Sequence, residues 1–170
     1  MKKITLLAGA LLLPFIIMGQ NPAVDQLFNK YQGKEGFTTV FVNKDVFKLI
    51  SDDNNVEHEM NKTLEKISGI KILAQEDKEI TGELNFYDEL KKSLDFNKYK
   101  ELVVVKEKDQ DVWIIARENN DRIEELLVIV GGDENVLIWV EGNFTFEDLS
   151  ELSEIDGLEQ LELLGEGDDD

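Results

Sequence analysis

His58 is the only histidine in the chain and there is no cysteine, so most nucleophile–base pairs start one member short. It sits in Glu57-His58-Glu59, on the polar side of a predicted helix, with no second imidazole one turn away to share a metal. An exposed, merely titratable side chain is expected there. A Ser–His–acid triad would need this same residue, and no serine stands in a nucleophile-elbow pattern. The 37 Asp and Glu residues offer carboxylate pairs in excess. Such a couple hydrolyses a glycosidic bond only at the right separation across a cleft, and spacing along the chain does not supply that distance. Asp52-Asp53-Asn54-Asn55 and Asp168-Asp169-Asp170 are rich in oxygen, but neither has the turn glycine and closing glutamate of a calcium loop. Gly131-Gly132-Asp133-Glu134-Asn135 lacks the lysine and helix of a phosphate loop and reads as a hairpin turn. Neither a catalytic residue, a metal nor a cofactor is expected.

Trp113 and Trp139 are the more informative candidates. Strand alternation places Trp113, Ile115 and Arg117 on one face, and Leu137, Trp139 and Glu141 on one face of another strand. If helices cover only the opposite face, the two indoles form an open binding patch; otherwise they belong to a second buried layer.

The elements that would position them follow from periodicity. Val24, Leu27, Phe28 and Tyr31 fall at helical spacing, and Phe37–Val42 is β-branched and aromatic. Asn43 can cap a helix bearing Val46, Phe47 and Ile50. Val56, Met60, Leu64 and Ile67 line a further helix, opened by Asn54 with Glu57 and stopped at Gly69. Strand 70–74 precedes a helix over 84–94. Four strands, 102–106, 112–117, 125–130 and 136–141, then follow with short polar connections. Thr145 caps a last helix with Phe146, Leu149 and Leu152, and Leu158, Leu161 and Leu164 extend that packing. The order predicts an α+β two-layer sandwich: a mostly antiparallel sheet, its C-terminal part a four-strand meander, with helices on one face.

Lys2 and Lys3, an apolar run from Ile4 to Met18 and small Gly19 have the order of a secretory signal, and the run is short for a membrane span. The expected organisation is a signal peptide over 1–19, one domain over 20–165 and an acidic disordered tail over 166–170. Export to the periplasm or beyond follows, not as a lipoprotein, since the lipobox cysteine is missing. No membrane span remains after cleavage. The net charge is −19, and from Arg122 onward 16 acids face one base. That field repels nucleic acid and favours a cationic ligand or a basic protein partner.

Three segments, Phe28–Thr38, Glu101–Glu107 and Leu126–Gly132, together resemble an uncharacterised exported Bacteroidota family, domain of unknown function number 4252. The resemblance runs from about Phe28 to about Leu161. It implies a Bacteroidota source and an envelope location, and it carries no catalytic residue. Three functions compete: a non-enzymatic protein- or ligand-binding module, a hydrolase with acids in a cleft, or a purely structural oligomer subunit, which a large self-complementary interface would mark. A cavity with convergent acids would favour the second, and an open apolar face the first.

Overall fold

In the computed structural model the described residues are 21–51 and 58–152. The first helix, α1 (Pro22–Tyr31), carries the expected stripe of Val24, Leu27, Phe28 and Tyr31. Asn21 accepts the Val24 N–H at 3.3 Å as N-cap, and Pro22 occupies a first-turn position where an N–H has no partner anyway. After β1 (Phe37–Asn43), Asn43 Oδ1 accepts the Asp45 N–H at 3.0 Å and turns the chain into α2 (Lys44–Ser51). Then come α3 (His58–Lys66), β2 (Ile67–Gln75), α4 (Lys78–Thr81) and α5 (Phe86–Leu90). The strands β3 (Lys100–Lys106), β4 (Gln110–Asn119), β5 (Arg122–Gly132) and β6 (Val136–Phe144) form the expected meander. Last among the described residues, α6 (Phe146–Leu152) is capped as anticipated. Thr145 Oγ1 accepts the Asp148 N–H, and Asp148 Oδ2 accepts the Thr145 N–H at 2.7 Å.

All six strands lie in one antiparallel sheet, in the order β1-β2-β6-β5-β4-β3. The α+β class and the antiparallel sheet are as expected. Helices, however, pack on both faces rather than one. Phe47 of α2, Leu64 of α3 and Leu149 of α6 join Ile114, Leu126, Val128 and Val140 on the first face. Val24, Leu27 and Phe28 of α1 and Phe86 and Leu90 of α5 cover Ile115, Leu127, Ile129 and Leu137 on the second. The physical reason is in the central strands. Residues 126–129 of β5 are apolar without interruption, and a strand that is greasy on both sides requires two covers.

Three boundaries differ from the sequence reading. Ile67 belongs to β2, not to the preceding helix, and Gly69 lies inside that strand. An irregularity between Ile67 and Gly69 turns both Ile67 and Ile70 to the same core, which imitates helical spacing. The helix expected over 84–94 is regular only over Phe86–Leu90, and its buried side is Phe86, Leu90 and Leu94. Gly131 and Gly132 end β5 instead of forming the turn; a Cβ on Gly132 would lie 2.2 Å from the Asp109 carbonyl oxygen. The helix start at 54–57, the packing of 158–164, the tail 166–170 and the segment 1–19 lie outside the described residues. So does the His58 side chain.

Candidate functional site

Strand register builds the site in rows on the face covered by α1 and α5. One row is Leu73, Leu137, Ile129 and Trp113; the next is Lys71, Trp139, Leu127 and Ile115. The third is polar: Gly69, Glu141, Glu125 and Arg117. The register shifts between Ile67 and Gly69, Arg117 and Glu118, and Ile123 and Glu125 all fall at this end, where irregular pairing re-aims side chains.

The two tryptophans share a face, as strand alternation predicts, but that face is closed. Trp113 is 7% exposed and Trp139 1%. Tyr87 stacks on Trp113 at 4.4 Å with an interplanar angle of 8°, and Phe96 meets it edge-on at 6.4 Å. Lys71 Nζ lies 4.0 Å from the Trp139 ring centroid while forming an ion pair with Asp25 at 2.9 Å. The indoles are a second buried layer, and no open aromatic patch remains at Trp113 or Trp139.

The polar row carries the chemistry instead. Glu125 is 2% exposed and has two donors: Asn21 Nδ2 at 2.5 Å and Arg117 Nε at 3.0 Å. A buried carboxylate survives only with such partners. Arg117 also donates through Nη1 to Glu124 at 2.8 Å, so one guanidinium answers two acids. Asn21 donates to the Tyr99 hydroxyl at 2.7 Å as well, so the α1 cap doubles as the hub of the network. Burial, reinforced by the Glu125 charge, pushes the Tyr99 phenol far up, and it stays protonated at all ordinary pH values.

These groups line a cavity of about 330 Å³ between the start of α1, the 93–99 turn and the ends of β4 and β5. Ser93, Asp95 and Lys98 stand at its rim, with Lys98 3.8 Å from Asp95. A second hollow, about 230 Å³, runs beside β1 and is lined by Phe41, Gly69, Lys71 and Glu141. Burial, with Glu125 and Asp25 adding to it against the opposing Lys71, pushes the Glu141 carboxyl up to about 7. Among the described residues no cluster of three or more metal-ligating side chains occurs, and no helix is long and apolar enough to cross a membrane.

In the sequence Arg117 and Glu141 stand out only as charges flanking the tryptophans, and Glu125, Tyr99 and Asn21 do not stand out as site residues. The available signal was alternation: Glu125 shares parity with the inward-facing Leu127 and Ile129. Asn21 and Tyr99 reach the site from elsewhere in the chain, and no local pattern marks them.

A family profile described as domain of unknown function (DUF4252) matches residues 31–152. Comparisons with curated proteins and with solved structures return no match.

Proposed function

The chain belongs to the DUF4252 family, whose description assigns no activity, and on that premise we propose that it is an exported, non-enzymatic binding module. Its ligand is small, neutral and rich in hydroxyl groups, held in the cavity beside Asn21. One observation carries this: the four formal charges in the cavity lining, Asp95, Lys98, Arg117 and Glu125, cancel, and the buried Glu125 carboxylate is already paired with the half-exposed Arg117 guanidinium. Such a lining exerts little net field on an ion but presents fixed donors and acceptors together, which is what a sugar-like polyol needs. The volume lies near the low end of the roughly 300–1,000 Å³ typical of small-molecule clefts. Export is supported by the residue order from Lys2 to Gly19.

A specific observation favours a second reading, hydrolysis by paired carboxylates. Glu125 and Glu141 are direct cross-strand partners, and Glu141 is held near neutrality. Against it, Glu125 is occupied by two donors, and the two carboxylates line different hollows. The test is a thermal-shift panel of neutral mono- and disaccharides. At least one should raise the melting temperature saturably, and Ser93→Trp, which fills the rim from an exposed position, should abolish the effect without altering the melt of the free protein. A panel without response, or a response untouched by Ser93→Trp, contradicts the reading.

A further inference from the structure

The hollow beside β1 differs from the first cavity in how its carboxylate is answered. Glu125 takes donors from Arg117 and Asn21. Glu141 lies half-buried in the lining of the hollow and, among the described residues, makes no hydrogen bond and no ion pair. The charges that reach it come from Lys71 of β2, Glu125 of β5, Asp25 of α1 and Arg117 of β4. Lys71 is engaged by Asp25 at 2.9 Å, and Arg117 by Glu124 and Glu125. Both cations are thus committed to other acids, and Glu141 is the carboxylate left over. Lys71 shows what kind of group this region accepts. Its ammonium lies against Asp25, with the Trp139 ring centroid at 4.0 Å and the Phe28 centroid at 6.0 Å. The hollow repeats that pairing: Glu141 supplies a carboxylate, and Phe41, 55% exposed, supplies a ring. Gly69, the partner of Glu141 on β2, puts no side chain into the space. A Cβ there would stand 3.3 Å from the Val42 carbonyl oxygen.

We propose that this hollow is a second binding site, for a small organic ammonium ion whose charge pairs with Glu141 and whose carbon frame lies against Phe41. A metal ion does not suit it. Calcium takes about six to eight oxygens, and among the described residues no three metal-ligating side chains gather. An ammonium needs one carboxylate and gains from a ring face. The space of about 230 Å³ has room for such an ion. A half-buried carboxylate without a partner is costly to ionise. That cost shows in the Glu141 carboxyl, which burial raises to about 7, with Glu125 and Asp25 adding to it against Lys71 and Arg117. An arriving ammonium takes the place of the proton as counter-charge. Ionised Glu141 is the binding form, so affinity should fall about tenfold per pH unit below about 7 and level off above it. The site is independent of the polyol cavity, whose own charges cancel.

The test is isothermal titration calorimetry of the protein as recovered from expressing cells, at physiological ionic strength and a series of pH values. The probes are butylammonium and benzylammonium, with butanol and benzyl alcohol as their neutral counterparts. Above neutrality at least one ammonium should bind saturably at a single site, and neither alcohol should bind. Glu141→Gln keeps the shape of the side chain and removes a group whose ionisation opposes folding, so the variant folds; it should lose at least tenfold in affinity. Phe41→Ser, at an exposed position, should weaken binding several-fold. Ser93→Trp, at the rim of the other cavity, should leave it unchanged. No binding by either ammonium, equal binding by the alcohols, or an affinity that does not rise with pH overturns the proposal. Binding that Glu141→Gln or Phe41→Ser leaves intact overturns it equally, and assigns the attraction to the overall charge of −19.

Discussion

Glu141 stands directly opposite Glu125 across β6 and β5, yet only Glu125 has its charge answered at close range. Arg117 and Asn21 hold Glu125 from the side of β4 and α1. Glu141 lies beside glycine at position 69 on the other side of the row, and the cation that opposes its protonation most, Lys71, is engaged by Asp25. Two carboxyls in adjacent places thus have opposite environments.

The consequence for stability has a definite sign. A carboxyl raised from 4.5 to about 7 binds its proton more tightly in the folded state. Its contribution is therefore most favourable below the unfolded value and is lost as pH rises through about 7. Glu141→Gln should flatten the fall in stability across that window and leave the variant more stable above it, by on the order of 1 kcal/mol, since the half-open group is partly screened. Urea melts of both proteins at a series of pH values measure this. A wild-type curve that rises through the window would contradict the assignment.

The tryptophans act on stability. Trp113→Ser and Trp139→Ser should each cost about 3–5 kcal/mol, as large-to-small changes in a packed core do. The double variant should then be unfolded at ordinary temperature. A thermal melt that survives the double change would show that the second face is not the core it appears in the burial of Trp139.

Asn135, fully buried, latches the β5–β6 turn to the helical side. Its Oδ1 accepts the Phe86 N–H at 2.9 Å, and its Nδ2 donates to Gln75 Oε1, Leu84 O and Gly132 O at 2.8–3.0 Å. Asn135→Ala strands several buried partners and should cost about 2–4 kcal/mol. Chemical denaturation, read by midpoint at constant slope, checks the figure.

Much of the fold was legible because its elements carry local signals. The stripe Val24, Leu27, Phe28 and Tyr31, the β-branched run of β1, and the Thr145 cap all act within a few residues of themselves. The meander was legible from short connections. Layer count was not, since the uninterrupted apolar run of β5 gives no face preference, and only the docking of α1 and α5 decides which side is covered. Helix periodicity misled at Ile67 because an irregular strand pairing reproduces an i, i+3 pattern. The site was hidden for a different reason. Its members, Asn21, Tyr99, Arg117 and Glu125, come from four parts of the chain, and their meeting depends on register and on where a helix begins.

Asp148 tests whether the last helix is held by charge. Burial pushes its carboxyl up, but Lys66 at 2.5 Å and the Thr145 amide hold it below the usual range. Its contribution is present above the unfolded value and is lost as pH falls through the depressed one. Asp148→Ala should cost about 2–3 kcal/mol near neutrality, with the difference shrinking in acid. A cost independent of pH would point to packing rather than charge.

The ligand proposed for the Asn21–Tyr99–Arg117–Glu125 cavity is neutral and hydroxylated. Titration of nitrogen-labelled protein with the saccharide that gives the largest thermal shift, followed by nuclear magnetic resonance, reads it directly. Saturable shifts are expected at the Asn21 side-chain amide and the Arg117 Nε–H, the two donors to Glu125, with little change at Gly69 or Lys71 beside the second hollow. Resonances that stay fixed at Asn21 and Arg117 while others move, or that do not move with any sugar, would contradict it.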